Sequence, residues 1–285
     1  MAKIAVPSKG RLREPTLSLL SRAGIDPIYG DTGDRSLIVP TLMDDVRLAF
    51  LRPEDIPSLV YLGASDLGIT GLDYVAESGV DVDVCLRLGY GNASIVLAAP
   101  EESGIERAED LGEGARIATK YVNIARRFFE SRGVSPLIFR VNGSAEVLPK
   151  LGAADAIVDT VSTGVTLRMH GLRPVEGILK TEAVLIARNC TGNREVEAIV
   201  ETLRGVVNAR SIKMVMMNVP GEKLVDVLRI LPSMGGPAVT KLESREPMWE
   251  VITAVPVAEL HRVVYEAKRR GARDIVVLGA ERVVP

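Results

Sequence analysis

The stretch Ala154-Asp155-Ala156-Ile157-Val158-Asp159-Thr160-Val161-Ser162-Thr163-Gly164-Val165-Thr166-Leu167 carries the change of pattern on which the fold turns. Ala156 to Val158 is a short apolar run of the kind that forms a covered strand. An acidic residue follows, then a turn of hydroxyls and glycine, then the start of a helical period. A strand passing through a tight turn into a helix is half of a βαβ unit, and the same order recurs on both sides of it. Upstream, strands are predicted at Lys3–Val6, Val46–Leu51, Leu67–Thr70, Val82–Leu86, Ile95–Ala99, Arg116–Ala118 and Leu137–Val141. Helices are predicted at Pro15–Ala23, from Pro53, from Leu72 to Gly79, at Tyr121–Ser131 and at Ser144–Leu151. Downstream come a strand at Glu182–Ala187 and a helix at Arg194–Ala209, apolar at Val196, Ile199, Val200, Leu203 and Val207. This alternation predicts an α/β protein with a largely parallel sheet.

The pattern changes after Ala209–Ser211. Strand Ile212–Met217, helix Gly221–Ile230, strands Ala238–Leu242 and Glu250–Val255, helix Val257–Arg270 and strand Asp274–Leu278 give the order βαββαβ. That is the split βαβ, ferredoxin-like arrangement, sized for an appended domain.

Composition narrows the function. In 285 residues, Lys and Arg total 35 against 37 Asp and Glu, a net charge of −2, which excludes a general nucleic-acid binder. No apolar run approaches a membrane span, and the N-terminus has no secretory pattern. Cys85 and Cys190 lie far apart without a CxxC, so a reduced cytosol without disulfide or zinc is expected. His170 and His261, the only histidines, have no triad or metal-ligand context.

What remains is chemistry suited to phosphate. A turn entering a helix offers backbone N–H groups, Ser162, Thr163 and Thr166 add hydroxyls, and Gly164 permits close approach. Asp159 is placed to accept hydrogen bonds from sugar hydroxyls. The plainer alternative is a helix cap and a turn residue. Pro7-Ser8-Lys9-Gly10-Arg11 and Arg52 put cations beyond strand carboxyl ends, where open parallel sheets bind ligands. Singly, each is as well explained as a solvated charge. Gly68, Thr70 and Gly71 form another strand-to-helix turn. Tyr121 either stacks on a base or packs, and Glu146 favours a helix N-terminus. Trp249 is expected to pack.

On these residues the chain resembles the long form of the ATP phosphoribosyltransferases, the first enzymes of histidine biosynthesis. The resemblance spans nearly the whole length. Its most specific part is Asp155 to Leu167, which is similar to the family's phosphoribosyl-pyrophosphate signature. Val6–Arg11, Leu51–Ile56, Asp66–Gly71 and Thr181–Ile186 support it.

The resemblance implies a two-lobed catalytic core of the type II periplasmic-binding-protein kind, the chain crossing out near Gly91 and back near Lys180. Lobe I would be residues 1–90 and 181–210, lobe II 91–180, and a ferredoxin-like, ACT-like regulatory domain 211–285. It implies a Mg²⁺-dependent attack of ATP adenine N1 on C1 of phosphoribosyl pyrophosphate, giving phosphoribosyl-ATP and pyrophosphate. It further implies cytoplasmic homo-oligomers, dimers and hexamers, inhibited by histidine.

Residue by residue, Asp155, Asp159 and Ser162, Thr163, Gly164, Val165, Thr166 and Leu167 would hold phosphoribosyl pyrophosphate. In an extended strand Asp155 and Asp159 share a face about 13 Å apart, too far for one sugar. Lys9, Arg11, Arg52 and Asp159 would be catalytic. Lys9, Gly10, Arg11, Gly68, Thr70, Gly71 and Tyr121 would line the ATP side. Asn218, Met234, Gly235 and Gly236 would form the effector site, with Asn218 where the family often has an acid. The metal's ligands are unassigned, Mg²⁺ arriving on the pyrophosphate. The competing readings are a two-lobed binding protein for small anions and a catalytically idle regulatory relative.

Overall fold

The computed structural model describes residues 1–29, 37–191, 193–232 and 236–284. The chain divides into two compact units, Met1–Val200 and Glu201–Pro285. In chain order the elements are β1 (Ala2–Pro7), α1 (Arg13–Arg22), β2 (Ile38–Pro40), β3 (Val46–Leu51), α2 (Ile56–Tyr61), β4 (Leu67–Gly71), α3 (Leu72–Ser78), β5 (Asp83–Arg87) and β6 (Ala93–Pro100). Then come β7 (Arg116–Thr119), α4 (Val122–Glu130), β8 (Leu137–Arg140), β9 (Ala156–Val161), α5 (Val165–Met169), β10 (Leu172–Thr181), β11 (Ala183–Ala187) and α6 (Arg194–Ala209).

The first unit holds two sheets, each the centre of a lobe. Sheet one has the order β2-β3-β1-β4-β11-β5 and sheet two the order β10-β6-β9-β7-β8. The chain leaves the first lobe between β5 and β6 and returns between β10 and β11, the two-lobed arrangement expected of a periplasmic-binding-protein-like core. In sheet one, β1 pairs in parallel with both β3 and β4. All five residues of β4 are buried, because it is flanked by β1 and β11 and covered by helix on a face. In sheet two the pleat alternates between two cores. Ile95, Leu97, Ile117 and Val158 face α4, packing on Ile124, Phe128 and Phe129. Val96, Ala98, Ala118 and Ile157 face the other way, against Leu167 and Leu172.

The second unit forms a sheet from β12 (Ile212–Pro220), β13 (Ala238–Leu242), β14 (Met248–Pro256) and β15 (Arg273–Gly279), in the order β13-β14-β12-β15. Helices α7 (Leu224–Leu228) and α8 (Val257–Arg269) lie on one face, where Val215, Met217, Val251 and Val255 meet Val227, Val263 and Ala267. This is the expected ferredoxin-like module.

Three expectations are corrected. Strand β10 was not foreseen, because Pro174 and Gly177 interrupt its pattern. It is an edge strand with register shifts beside both residues, the place a sheet admits Pro. Residues Ser144–Leu151 are not a helix but a single 3₁₀ turn, Ala145–Val147, since Ser144 is left-handed at φ +54° and Pro149 follows. The cysteines are not free. Cys85 in β5 and Cys190 after β11 form a disulfide, Cα atoms 5.4 Å apart, because the topology makes β5 and β11 neighbours.

Candidate active site

The two lobes present strand ends to a shared space. Pro7 lies opposite Leu51 in the β1–β3 ladder, and the Ser8 N–H donates to the Leu51 carbonyl at 2.8 Å. The Lys9-Gly10-Arg11 turn and Arg52 therefore leave the sheet side by side. Gly10 sits at φ +80°, a conformation that disfavours a side chain even though space is open there. From the second lobe, the ends of β7 and β8 bring Lys120, Arg140 and Asn142. Together with Lys9, Arg52, Glu54 and Asp55 they line a cavity of about 1010 Å³. Among the described residues the side chains of Lys9, Arg52 and Arg140 have no hydrogen-bond or ion-pair partner. Unpaired cations facing one cavity from opposite sides make a site for a polyanion. Arg11 acts on the half-buried Tyr74, whose phenol is pushed up to about 12 by burial and by Asp73 and Glu54, with Arg11 pulling it down.

A smaller cavity of about 220 Å³ adjoins the end of β9, lined by Glu146, Asp159, Thr160 and the turn through Leu167. Gly164, at φ +73°, caps α5, and the first N–H groups of any helix lack an intrahelical partner. Ser162, Thr163, Val165 and Thr166 are exposed, while Leu167 is buried in the core and has only its main chain to offer. The Asp159 carboxylate is 25% exposed, accepts the Thr160 N–H at 2.6 Å and lies 3.8 Å from Lys120 Nζ. Burial raises its carboxyl above the ordinary range. Lys120 and the Thr160 N–H oppose that shift, and Glu146 adds to it. Lys120, which lines the larger cavity, thus joins it to the smaller one.

Not every residue expected here is brought together. Asp155 precedes β9 at its other end, outside both cavities. Its carboxylate accepts from the Arg116 N–H, Nε and Nη2 at 2.7, 3.2 and 2.9 Å, which hold it below the usual range. Tyr121 borders the larger cavity as expected but presents little ring for stacking: it is 1% exposed, and its hydroxyl donates to Asp73 Oδ2 at 2.6 Å. Thr70 is fully buried and donates to the Pro53 carbonyl at 2.7 Å. Gly68 and Gly71 are packing positions, where an added Cβ would meet Ile56 Cγ2 at 2.6 Å and Asp73 Oδ1. In the second unit, Asn218 Nδ2 donates to Asp274 Oδ2 at 3.0 Å, and Gly236 is left-handed at φ +102°. Met234 and Gly235 lie outside the described residues.

Lys120, Arg140, Asn142, Glu54, Asp55 and Glu146 line the cavities without having been selected. The first three follow β7 and β8 at their carboxyl ends, so the strand-end rule that singled out Lys9 and Arg52 applies to them equally.

Comparison with known proteins agrees with this geometry. A family model described as ATP phosphoribosyltransferase matches residues 52–205, and one described as HisG, C-terminal domain, matches 209–282. The ATP phosphoribosyltransferase of Ignicoccus hospitalis is 51% identical over 284 residues, 99% of this chain and 100% of its own. That of Sulfurisphaera tokodaii is 46% identical over 286 residues, 99% of each. Among solved structures, the ATP phosphoribosyl transferase (HisG:HisZ) complex from Thermotoga maritima has a TM-score of 0.64 at 29% identity, covering 73% of this chain and 99% of that one. A two-lobed core with cations at its strand ends, a ferredoxin-like tail and full-length relatives of one name lead to one assignment: the chain belongs to the ATP phosphoribosyltransferases, pentosyltransferase enzymes of histidine biosynthesis.

Proposed function

We propose that the two joined cavities divide the substrates of this reaction between them. The turn Ser162–Thr166 takes the 5′-phosphate of phosphoribosyl pyrophosphate through main-chain N–H groups and hydroxyls, and Asp159 accepts the ribose hydroxyls. Lys9, Arg11 and Arg52 neutralise the pyrophosphate. ATP occupies the rest of the larger cavity, with adenine N1 directed at C1. N1 already carries a lone pair, so attack needs no strong base: the N1–C1 bond forms as the C1–oxygen bond breaks and pyrophosphate departs with its electron pair. The demand on the protein is to orient two substrates and stabilise charge on the leaving group, which unpaired Lys and Arg side chains meet. The observation that carries this reading is the convergence of the Lys9, Arg52 and Arg140 side chains, without partners, on the larger cavity, whose Lys120 lies 3.8 Å from Asp159 of the smaller one.

Among the described residues no three metal-binding side chains gather into a cluster. Mg²⁺ would enter as part of the magnesium–polyphosphate substrate, bound by phosphate oxygens. The test is direct: chain incubated with Mg²⁺, ATP and phosphoribosyl pyrophosphate under pyrophosphatase pull forms phosphoribosyl-ATP, followed by ultraviolet absorbance. Absence of product from folded chain refutes the reading.

The second unit is proposed as the regulatory domain, residues 211–285, acting on lobe I (1–90 and 181–210) and lobe II (91–180), with histidine as the inhibitor. Asn218 and Gly236 would contribute to its site. Homo-oligomers are supported by the sheet face opposite α7 and α8, where the registers place Met214, Met216, Ile252, Val276 and Leu278 together, the last two 48% and 46% exposed. No described helix is long and apolar enough to cross a membrane. A cytoplasmic enzyme with a Cys85–Cys190 bond fits the pattern of cells whose intracellular proteins keep disulfides.

A further inference from the structure

Helix α3 of the first lobe carries a carboxylate, Asp73, that is 1% exposed and sits among donors from elsewhere in the fold. The Thr181 hydroxyl, on the strand returning from the second lobe, donates to Oδ1 at 2.7 Å and accepts the Asp73 N–H at 3.0 Å. Oδ2 accepts the Tyr121 hydroxyl at 2.6 Å, across the boundary between lobes. The Tyr121 hydroxyl gives its one proton to Asp73. The 2.5 Å contact between Tyr121 Oη and Thr160 Oγ1 must then have Thr160 as donor. Burial and the Asp73 charge raise the Tyr121 phenol, which keeps it a donor. Thr160 is the next residue after Asp159, and its N–H holds Asp159 Oδ1. Two sets of hydrogen bonds, joined through the covalent frame of Thr160, thus link a buried acid of one lobe to the carboxylate beside the smaller cavity of the other.

The same helix grips the second lobe one turn later. Glu77 accepts the N–H groups of Asn123 and Ile124 at 3.0 and 2.9 Å, capping the N-terminus of α4. Tyr121 and the helix start that follows it are therefore both held by α3. Separating the lobes would strip donors from a buried carboxylate, which is costly.

We infer that Asp73 is a positioning residue for the reaction: through Tyr121 and Thr160 it orients Asp159, so the first lobe sets the sugar-binding geometry of the second. The inference rests on Asp159 meeting the ribose. The experiment compares Asp159→Asn, Thr160→Val, Thr160→Ser, Tyr121→Phe and the Tyr121→Phe/Thr160→Val double variant in the full chain, by KM for each substrate and by Tm. Asp159→Asn is expected to raise the phosphoribosyl pyrophosphate KM about tenfold, the loss of one hydrogen bond to a charged group. Thr160→Val and Tyr121→Phe should each raise it about three- to tenfold, with the ATP KM within about twofold. Thr160→Ser, which keeps the hydroxyl, should restore it. Both single changes cut the same link, so the double variant should be no worse than the more severe single. A purely structural network would lower Tm while shifting both KM values alike, and that result overturns the inference. So does multiplication of the two single effects, or an unchanged KM in folded Thr160→Val. If Asp159→Asn itself has no effect, the ribose assignment fails first and the inference with it. If Asp159→Asn acts while the other variants do not, the ribose assignment stands and the positioning role is refuted.

Discussion

Breaking the Cys85–Cys190 bond should cost the protein stability without touching its chemistry. The bond joins β5, the edge of the first sheet, to the segment after β11. The 105-residue separation encloses the whole second lobe. Among the described residues strand β5 pairs with β11 alone, with a register shift, and besides that ladder the edge is held by the exposed Arg87–Glu182 pair and the Cys190 N–H bond to Asp83. For a closed loop of that length, the chain-entropy account gives about 4.7 kcal/mol of stabilisation, acting through the unfolded chain. The unit containing it ends at Val200. At about 2.1 cal/mol/K per residue its unfolding entropy is near 0.4 kcal/mol/K, so the loss corresponds to roughly 10 °C in Tm. Calorimetry with and without reductant reads this, and Cys85→Ser should reproduce the lower Tm and lose its response to reductant. Activity well below Tm should be unchanged, because neither cysteine lines a cavity. Two reactive thiols in non-reduced, denatured protein, or a Tm that reductant moves by less than about 2 °C, would refute the reasoning.

Other outcomes follow from the site. Thr166→Ala should raise the KM for phosphoribosyl pyrophosphate severalfold and leave that for ATP nearly unchanged; equal effects in steady-state kinetics would remove the phosphate assignment from the turn. Asp155→Asn should leave both KM values alone and cost no more than about 1 kcal/mol by denaturant unfolding, since the pair with Arg116 is 41% exposed on each side and screened by solvent. Its folded carboxyl is held low, so that contribution is present above the unfolded carboxyl's range and disappears as pH falls through the folded value. Asp159 has the opposite sign: its carboxyl is raised, the native state holds the extra proton, and stability falls as pH rises through the window between the unfolded and folded values. Asp159→Asn should therefore raise Tm at neutral pH while weakening sugar binding, and an unchanged or lower Tm would contradict the burial argument.

Much of this arrangement is legible in the sequence because period and punctuation are local properties. The run from Ala156 to Gly164 announces a covered strand and a left-handed turn, and both are found. Lys9 and Arg52 were selected by position at strand ends, and the parallel register of β1 and β3 is what brings them together. The failures share one cause: they depend on partners distant in sequence. An aromatic at the start of a helix does not reveal whether its hydroxyl faces a substrate or, as with Tyr121, a carboxylate some fifty residues earlier. A two-residue period places Asp155 and Asp159 on one face but does not tell which end of the strand meets the cavity. Cys85 and Cys190 become neighbours only when β5 pairs with β11.

Those long-range partners are also what separates this core from a fold that merely closes on a solute. Binding a small anion requires only that two lobes approach. Displacing pyrophosphate requires that the group holding the sugar and the cations holding the leaving group keep a fixed separation while charge moves between them. On the proposed assignment the sugar side, at Asp159 and the hydroxyl turn, stands on the second lobe, and Lys9, Arg11 and Arg52 stand on the first. Besides the two chain crossings, the lobes are held to each other by the buried hydrogen bonds that α3 makes through Asp73 and Glu77. The residues least visible to local pattern are thus those that bind the two halves of the site into one.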